Sequence, residues 1–227
     1  MAILSSSNPP TKPQALLFDL DGTLVDSVPD LSFAVDAMLS DLGKPIAGLE
    51  SVSNWVGNGA AMLVKRALSR QMIPVEIEKT LYQEAYSLFL AHYQLVNGRK
   101  SILYPKVAET LGQIRNTFPY LALITNKPEQ FTQPLLDYHR LPEFDLIVCG
   151  DTLEKRKPHP EPVLHCLNVF GCEAAESVMV GDSVSDIKAA QAADVPIICV
   201  NYGYNQGEYL SAYQPDRLIQ DFDQLLF

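Results

Sequence analysis

The stretch "ALLFDLDGTLVDS", Ala15–Ser27, is apolar from Ala15 to Phe18 and then carries two acids one residue apart, Asp19 and Asp21, followed at once by Gly22. A strand with one wet face alternates apolar and polar residues, whereas a strand covered on both faces does not. Ala15–Leu20 is therefore predicted as an interior strand of a parallel sheet, ending in carboxylates. Leu121–Thr125, Leu146–Cys149, Val178–Val180 and Pro196–Val200 read the same way. Helical spacing lies between them: Val107, Leu111, Ile114 and Phe118; Phe131, Leu135 and Leu136; Val163, Leu164, Leu167 and Phe170; Ile187, Ala190 and Ala193. Alternating strands and helices imply right-handed crossovers and a doubly wound, Rossmann-like α/β core.

From Ser27 to about Arg99 no strand is predicted. Ser27-Val-Pro-Asp30 reads as a capping sequence with Pro29 in the first turn, before Leu31, Val35, Met38, Leu39 and Leu42 on one helix face. A second helix is predicted over Asn58–Arg70. A third covers about Val75–Leu95, with Ile77, Leu81, Leu88 and His92 inward, and Asn97–Ser101 is the return linker. The block 27–99 is read as an inserted all-helical cap subdomain, with 1–26 and 100–227 forming the core.

The chain has 227 residues and a formal net charge of −10, with Lys155, Arg156 and Lys157 as its one basic cluster. That balance argues against nucleic acid as partner, while leaving a small anionic substrate open. No apolar run approaches the roughly 18–20 residues needed to cross a bilayer, so no membrane partner is expected. The N-terminal "MAILSSSNPPTKP" reads as a loose arm, not a secretory signal. Cys149, Cys166, Cys172 and Cys199 show neither a C-x-x-C pair nor metal-type spacing with histidines, as expected of reduced thiols in a cytoplasmic protein. Oligomeric state is not legible.

Ligands of open α/β sheets sit at the carboxyl ends of the strands. There this chain places Asp19 and Asp21; Thr125 and Asn126; Gly150, Asp151 and, a loop later, Lys157; and Gly181, Asp182, Ser183 and Asp186. Carboxylates so gathered repel one another unless a cation neutralises them, and hard oxygen ligands suit Mg²⁺. Each feature also has a plainer reading. Asp19-x-Asp21 with Asp30 at the twelfth position imitates a calcium loop, but its sixth position is Leu24, not glycine. Thr125–Pro128 is an ordinary strand-to-helix turn, Lys157 lies in a charged loop, and Ser183-Val-Ser-Asp186 is a capping box.

"FDLDGTLVDS", "LITNK", "KRKPHPEP" and "VGDSVSDIKAA" match in order the four motifs of the haloacid dehalogenase superfamily, which the chain resembles over essentially its whole core. Within it, "WVGNGAAMLVKRAL" and "NYGYNQGE" resemble the bacterial phosphoglycolate phosphatases. The resemblance implies Asp19 as nucleophile and Asp21 as general acid and base. Dehalogenating members lack an acid at the second position, which favours a phosphatase. It implies Mg²⁺ held by the Asp19 carboxylate, the Asp21 carbonyl and Asp182, with Asp186 holding a coordinating water or Lys157. Thr125 and Lys157 would grip the phosphate, helped by backbone amides at Asp21 and Asn126.

The cap would close over the site, with Gly57-Asn58-Gly59 either dipping toward the phosphate or simply turning into a helix. Lys65 or Arg66 would pair with a substrate carboxylate, unless they are solvated surface. Trp55 and the tyrosines of "NYGYNQGEY" read as packing. The expected substrate is a small phosphomonoester, foremost 2-phosphoglycolate. β-Phosphoglucomutase and pyrophosphatase of the same superfamily share the motifs. A non-catalytic binding protein would not need the full set, and a receiver-type signalling domain would lack the helical block.

Overall fold

The structure, a computed structural model, describes residues 12–226; most of the N-terminal arm expected over 1–13 therefore lies outside the described residues. In chain order, β1 (Ala15–Phe18) and β2 (Val25–Asp26) precede helices α1 (Val28–Asp41), α2 (Leu49–Trp55), α3 (Ala60–Ser69) and α4 (Lys79–Val96). Then follow β3 (Ile102–Leu103), α5 (Val107–Thr117), β4 (Tyr120–Ile124), α6 (Glu129–His139) and β5 (Leu146–Val148). The chain continues through α7 (Glu161–Phe170), β6 (Ser177–Gly181), α8 (Val184–Gln191), β7 (Ile197–Val200) and β8 (Arg217–Ile219).

Six strands form one sheet in the order β5-β4-β1-β6-β7-β8, every neighbouring pair parallel. The apolar runs do not alternate because both faces are covered. Leu16 and Phe18 pack with Leu111, Ile114 and Phe222 on one side. Ala15 and Leu17 pack with Val163, Cys166 and Ile187 on the other. The predicted strands agree with the observed ones to within two residues. β8 was not expected: of its three residues only Ile219 is buried, so it has no apolar run to display. The four cysteines are free and buried. Among the described residues no helix is long and apolar enough to cross a membrane.

The helical block leaves through β2 and returns through β3, which pair antiparallel with Val25 opposite Leu103. Val35, Met38, Leu39, Val64, Phe89 and Tyr93 share a cluster, distinct from the two flanking the sheet, that Phe131 and Tyr204 join from outside the block. Four details depart from the sequence reading. A short helix, α2, precedes Val56 where none was expected. Ser27 makes no capping hydrogen bond; instead Asp30 accepts from the amides of Gly98, Lys100 and Ser101, tying the start of α1 to the return linker. The third predicted helix starts at Lys79, capped by the Glu78 side chain, not at Val75. Its buried face is Ala85, Phe89, Tyr93 and Val96, with Leu81, Leu88 and His92 only partly covered. Apolar residues occupy two stripes of α4, and packing against α1 and Phe131, whose ring lies 4.7 Å from that of Tyr93, selects the aromatic one.

Candidate active site

β1, β4 and β6 are adjacent, so the residues after their carboxyl ends converge on one rim. Asp19, Asp182 and Asp186 are all buried there, and one carboxylate oxygen of each lies within 4.8 Å of the others. Lys157 Nζ donates to Asp19 Oδ1 at 2.6 Å, to Asp186 Oδ1 at 2.7 Å and to the Ile124 carbonyl at 2.6 Å. Asp186 turns its other oxygen to the amide of Ser183 at 3.0 Å and its hydroxyl at 2.6 Å. The capping box and the functional reading thus coexist: one carboxylate starts α8 and anchors Lys157.

Asp182 has no cationic partner among the described residues. Its oxygens accept from the Thr23 hydroxyl at 2.9 Å and the Tyr204 amide at 2.6 Å. Burial raises its pKa well above the usual carboxylate range, and Asp19 and Asp186 add to the rise. Burial also raises Asp19 to about 7, against the pull of Lys157. For Lys157 burial acts downward, but Asp186 and Asp19 outweigh it and hold the ammonium above its ordinary range. Three carboxylates faced by a single ammonium leave two negative charges uncompensated. That donor set, all hard oxygen, fits a divalent cation such as Mg²⁺.

Tyr204 comes from the Tyr-rich segment read as packing, and it reaches further: its hydroxyl also contacts Asp26 and accepts from the Val28 amide at 3.1 Å. Gly22 carries φ +97°, and a Cβ there would fall 2.2 Å from Asp182 Oδ2. Gly22→Ala is expected to lower stability by about 3 kcal/mol or more and to weaken Mg²⁺ binding at least tenfold, since the added carbon strains the turn and displaces that carboxylate. Thermal melting and calorimetric Mg²⁺ titration check this; unchanged affinity would detach the turn from the site.

Beyond the carboxylates, Thr125 and Asn126 are buried and line the same cavity. The cavity is roofed by the helical block through Leu31, Val56, Gly57, Gly59, Ala60, Leu63 and Tyr93. Three core side chains hold the roof loop. Asn126 Nδ2 donates to the Gly57 carbonyl at 3.1 Å, Ser185 Oγ accepts from Asn58 at 3.1 Å, and Gln206 donates to Asn58 Oδ1 at 3.0 Å and to the Val56 carbonyl. Gly59 starts α3 with φ +82°, and a Cβ there would stand 3.0 Å from the Asn126 carbonyl, so the loop meets the sheet closely because it lacks one.

Lys65 and Arg66 are placed elsewhere. Lys65 is exposed with its ammonium 5.3 Å from the Tyr82 ring centre. Arg66 is buried and donates to the carbonyls of Trp55 at 2.6 Å and Met72 at 3.0 Å, holding the block together. Neither lines the cavity.

Sequence reasoning passed over Lys127 and Tyr93. Lys127 looked like a turn residue, yet it is buried and its Nζ lies 2.9 and 3.1 Å from the two Asp21 oxygens. It also donates to the Tyr93 hydroxyl and sits 4.9 Å from the Tyr93 ring centre. The available signal was position: Lys127 follows Thr125 by two residues at a strand end that supplies the site.

A model of the family described as haloacid dehalogenase-like hydrolase matches residues 16–200. A phosphoglycolate phosphatase of Nitrosococcus oceani is 44% identical over 215 residues, covering 94% of this chain and 95% of that one. One of Pseudomonas putida is 45% identical over 219 residues, covering 96% and 80%. Among solved structures, a protein of Haemophilus somnus described as a predicted phosphoglycolate phosphatase superposes with a TM-score of 0.89 at 34% identity, covering 95% of this chain and 97% of its own. The likeness to CbbY of Rhodobacter sphaeroides, TM-score 0.77 at 20% identity over 94% and 96%, is one of fold. Matched by the family model over residues 16–200 and aligned with relatives along nearly its whole length, this chain belongs to the haloacid dehalogenase-like hydrolases.

Proposed function

We propose that this chain hydrolyses small phosphomonoesters, 2-phosphoglycolate foremost, through a phosphorylated Asp19. The observation that carries the reading is the buried cluster of Asp19, Asp182 and Asp186, with Lys157 between Asp19 and Asp186, of which Asp19 and Lys157 line a cavity roofed by uncharged residues. The names of the relatives supply the substrate. A roof of Leu31, Val56 and Leu63 supports a small organic leaving group.

In this reading Asp19 attacks phosphorus, dividing one displacement into two. Asp21 delivers a proton to the departing alkoxide and later takes one from the attacking water. Lys157 and the Thr125 hydroxyl, with the Asn126 amide, neutralise the nonbridging oxygens as charge gathers on them. Asp186 keeps Lys157 in place and stands beside the metal position. Asp19, Asp182 and the Asp21 carbonyl would hold Mg²⁺, which would supply the charge that lets an anionic ester approach an anionic nucleophile. The helical block 27–99 acts as the cap that keeps bulk water out.

Phosphate release with Mg²⁺ over a panel of substrates tests this. kcat/KM for 2-phosphoglycolate should exceed that for glucose 1-phosphate and pyrophosphate by about a hundredfold, the scale on which a fitted pocket discriminates. A higher value for either competitor overturns the substrate assignment.

A further inference from the structure

Taking from the proposed function only that Asp21 stands beside the leaving oxygen, we propose that Lys127 and Tyr93 form the subsite for the substrate's carboxylate. In 2-phosphoglycolate a single methylene separates that oxygen from the carboxylate carbon, so a group beside one is beside the other. The cation beside Asp21 is Lys127, 2.9 and 3.1 Å from its two oxygens. Asp21, Lys127 and Tyr93 all line the cavity.

The other basic groups near the cavity are occupied or displaced. The roof contributes no charged side chain to the lining, and Lys157 is shared between two carboxylates, Asp19 and Asp186, whereas Lys127 faces one, Asp21. Arg66 is bound to backbone carbonyls, and Arg156, whose guanidinium stands 3.3 Å from where a Gly59 Cβ would be, is exposed and outside the lining. A carboxylate on the leaving-group side would otherwise be buried without a counter-charge, which is prohibitive. Tyr93 supplies the second half of the subsite. It is 2% exposed, and its oxygen accepts from Lys127. Among the described residues that hydroxyl is engaged by Lys127 alone, as acceptor, which leaves its donor capacity for a ligand. A buried donor facing a cavity beside an ammonium is matched by a ligand oxygen carrying negative charge. Because Tyr93 belongs to α4 and Lys127 to the core, the subsite is complete only with the helical block seated on the sheet rim.

The test separates recognition from turnover. 3-Phosphonopropionate replaces the scissile oxygen by methylene and cannot be hydrolysed; propylphosphonate lacks the carboxylate altogether. Calorimetric titration of both, in Mg²⁺, should show the first binding the wild-type chain about 30-fold more tightly, the scale of a charged hydrogen bond. Lys127→Met should abolish most of that preference. Tyr93→Phe, which leaves the Lys127–Asp21 pair in place, should reduce it about 3- to 10-fold. Taking the ratio within each variant cancels any general loss of site integrity, and Tyr93→Phe decides the matter if Lys127→Met does not fold. Equal affinities in the wild type, or a preference kept in Tyr93→Phe and in any folded Lys127→Met, overturns the subsite. Failure of the wild type to release phosphate from 2-phosphoglycolate strikes the proposed function, while the binding ratio judges the subsite by itself.

Discussion

Asp19→Asn is expected to lose turnover by about 10⁴-fold or more while keeping its fold, because an amide oxygen can neither attack phosphorus nor carry the resulting acyl phosphate. The substitution is nearly isosteric, and its oxygen can still accept from Lys157, which donates to Asp19 Oδ1 at 2.6 Å in the native site. It also removes a carboxylate whose pKa burial has raised to about 7, so the melting temperature should not fall. Steady-state phosphate release, thermal melting and acid-quench capture of phosphoprotein check the three parts. A variant retaining a tenth of wild-type turnover would remove Asp19 as nucleophile, whatever its stability.

The second large effect concerns metal and pH. Asp19 and Asp182 both have raised pKa values in the native state, so between the unfolded carboxylate value of about 4 and the native value the folded chain binds more protons than the unfolded one. Stability contributed this way is fully present below about pH 4 and is lost as pH rises through about 7, the value for Asp19. For Asp19 alone the upper bound is about 4 kcal/mol. Mg²⁺ bound as proposed would restore what proton loss removes, since it would favour the charged carboxylates. In EDTA, then, the difference in melting temperature with and without Mg²⁺ should be small at pH 5 and reach roughly 5–10 °C at pH 8. Comparing each pH with its own metal-free control isolates the cluster from acids that titrate the other way, such as Asp145, whose pKa the Arg115 hydrogen bond and the Leu121 amide lower despite partial burial. Asp182→Asn should flatten the dependence. A Mg²⁺ increment equal at pH 5 and pH 8 would show that these carboxylates do not bind the ion.

The two predictions use residues that the sequence itself makes legible. Unbroken apolar runs such as Ala15–Phe18 and Val178–Val180 read as interior strands, and the acids that follow them then lie at one rim. The helical character of the stretch after Ser27 was equally plain, because strand patterning is absent there. What escaped was whatever depends on partners distant in sequence. Lys127 and Asp21 are separated by 106 positions and Tyr204 and Asp26 by 178, and no local pattern announces either pairing. Arg66 looked available because charge on a helix is usually solvated; its burial against Trp55 and Met72 is a property of how α2, α3 and the following loop pack. Tyr93 was hidden by a helix with two apolar stripes.

By itself, then, the sequence determined the layered α/β architecture and the inventory of carboxylates, hydroxyl and ammonium at the strand ends, because hydrophobic period and strand polarity are local quantities that survive without a partner. Only the tertiary structure decided which cations face which acids, which face of α4 is roof, and that the roof carries no charge. Those outcomes follow from packing and from electrostatic interactions that fall off within a few ångströms, distances that exist only once the chain has folded.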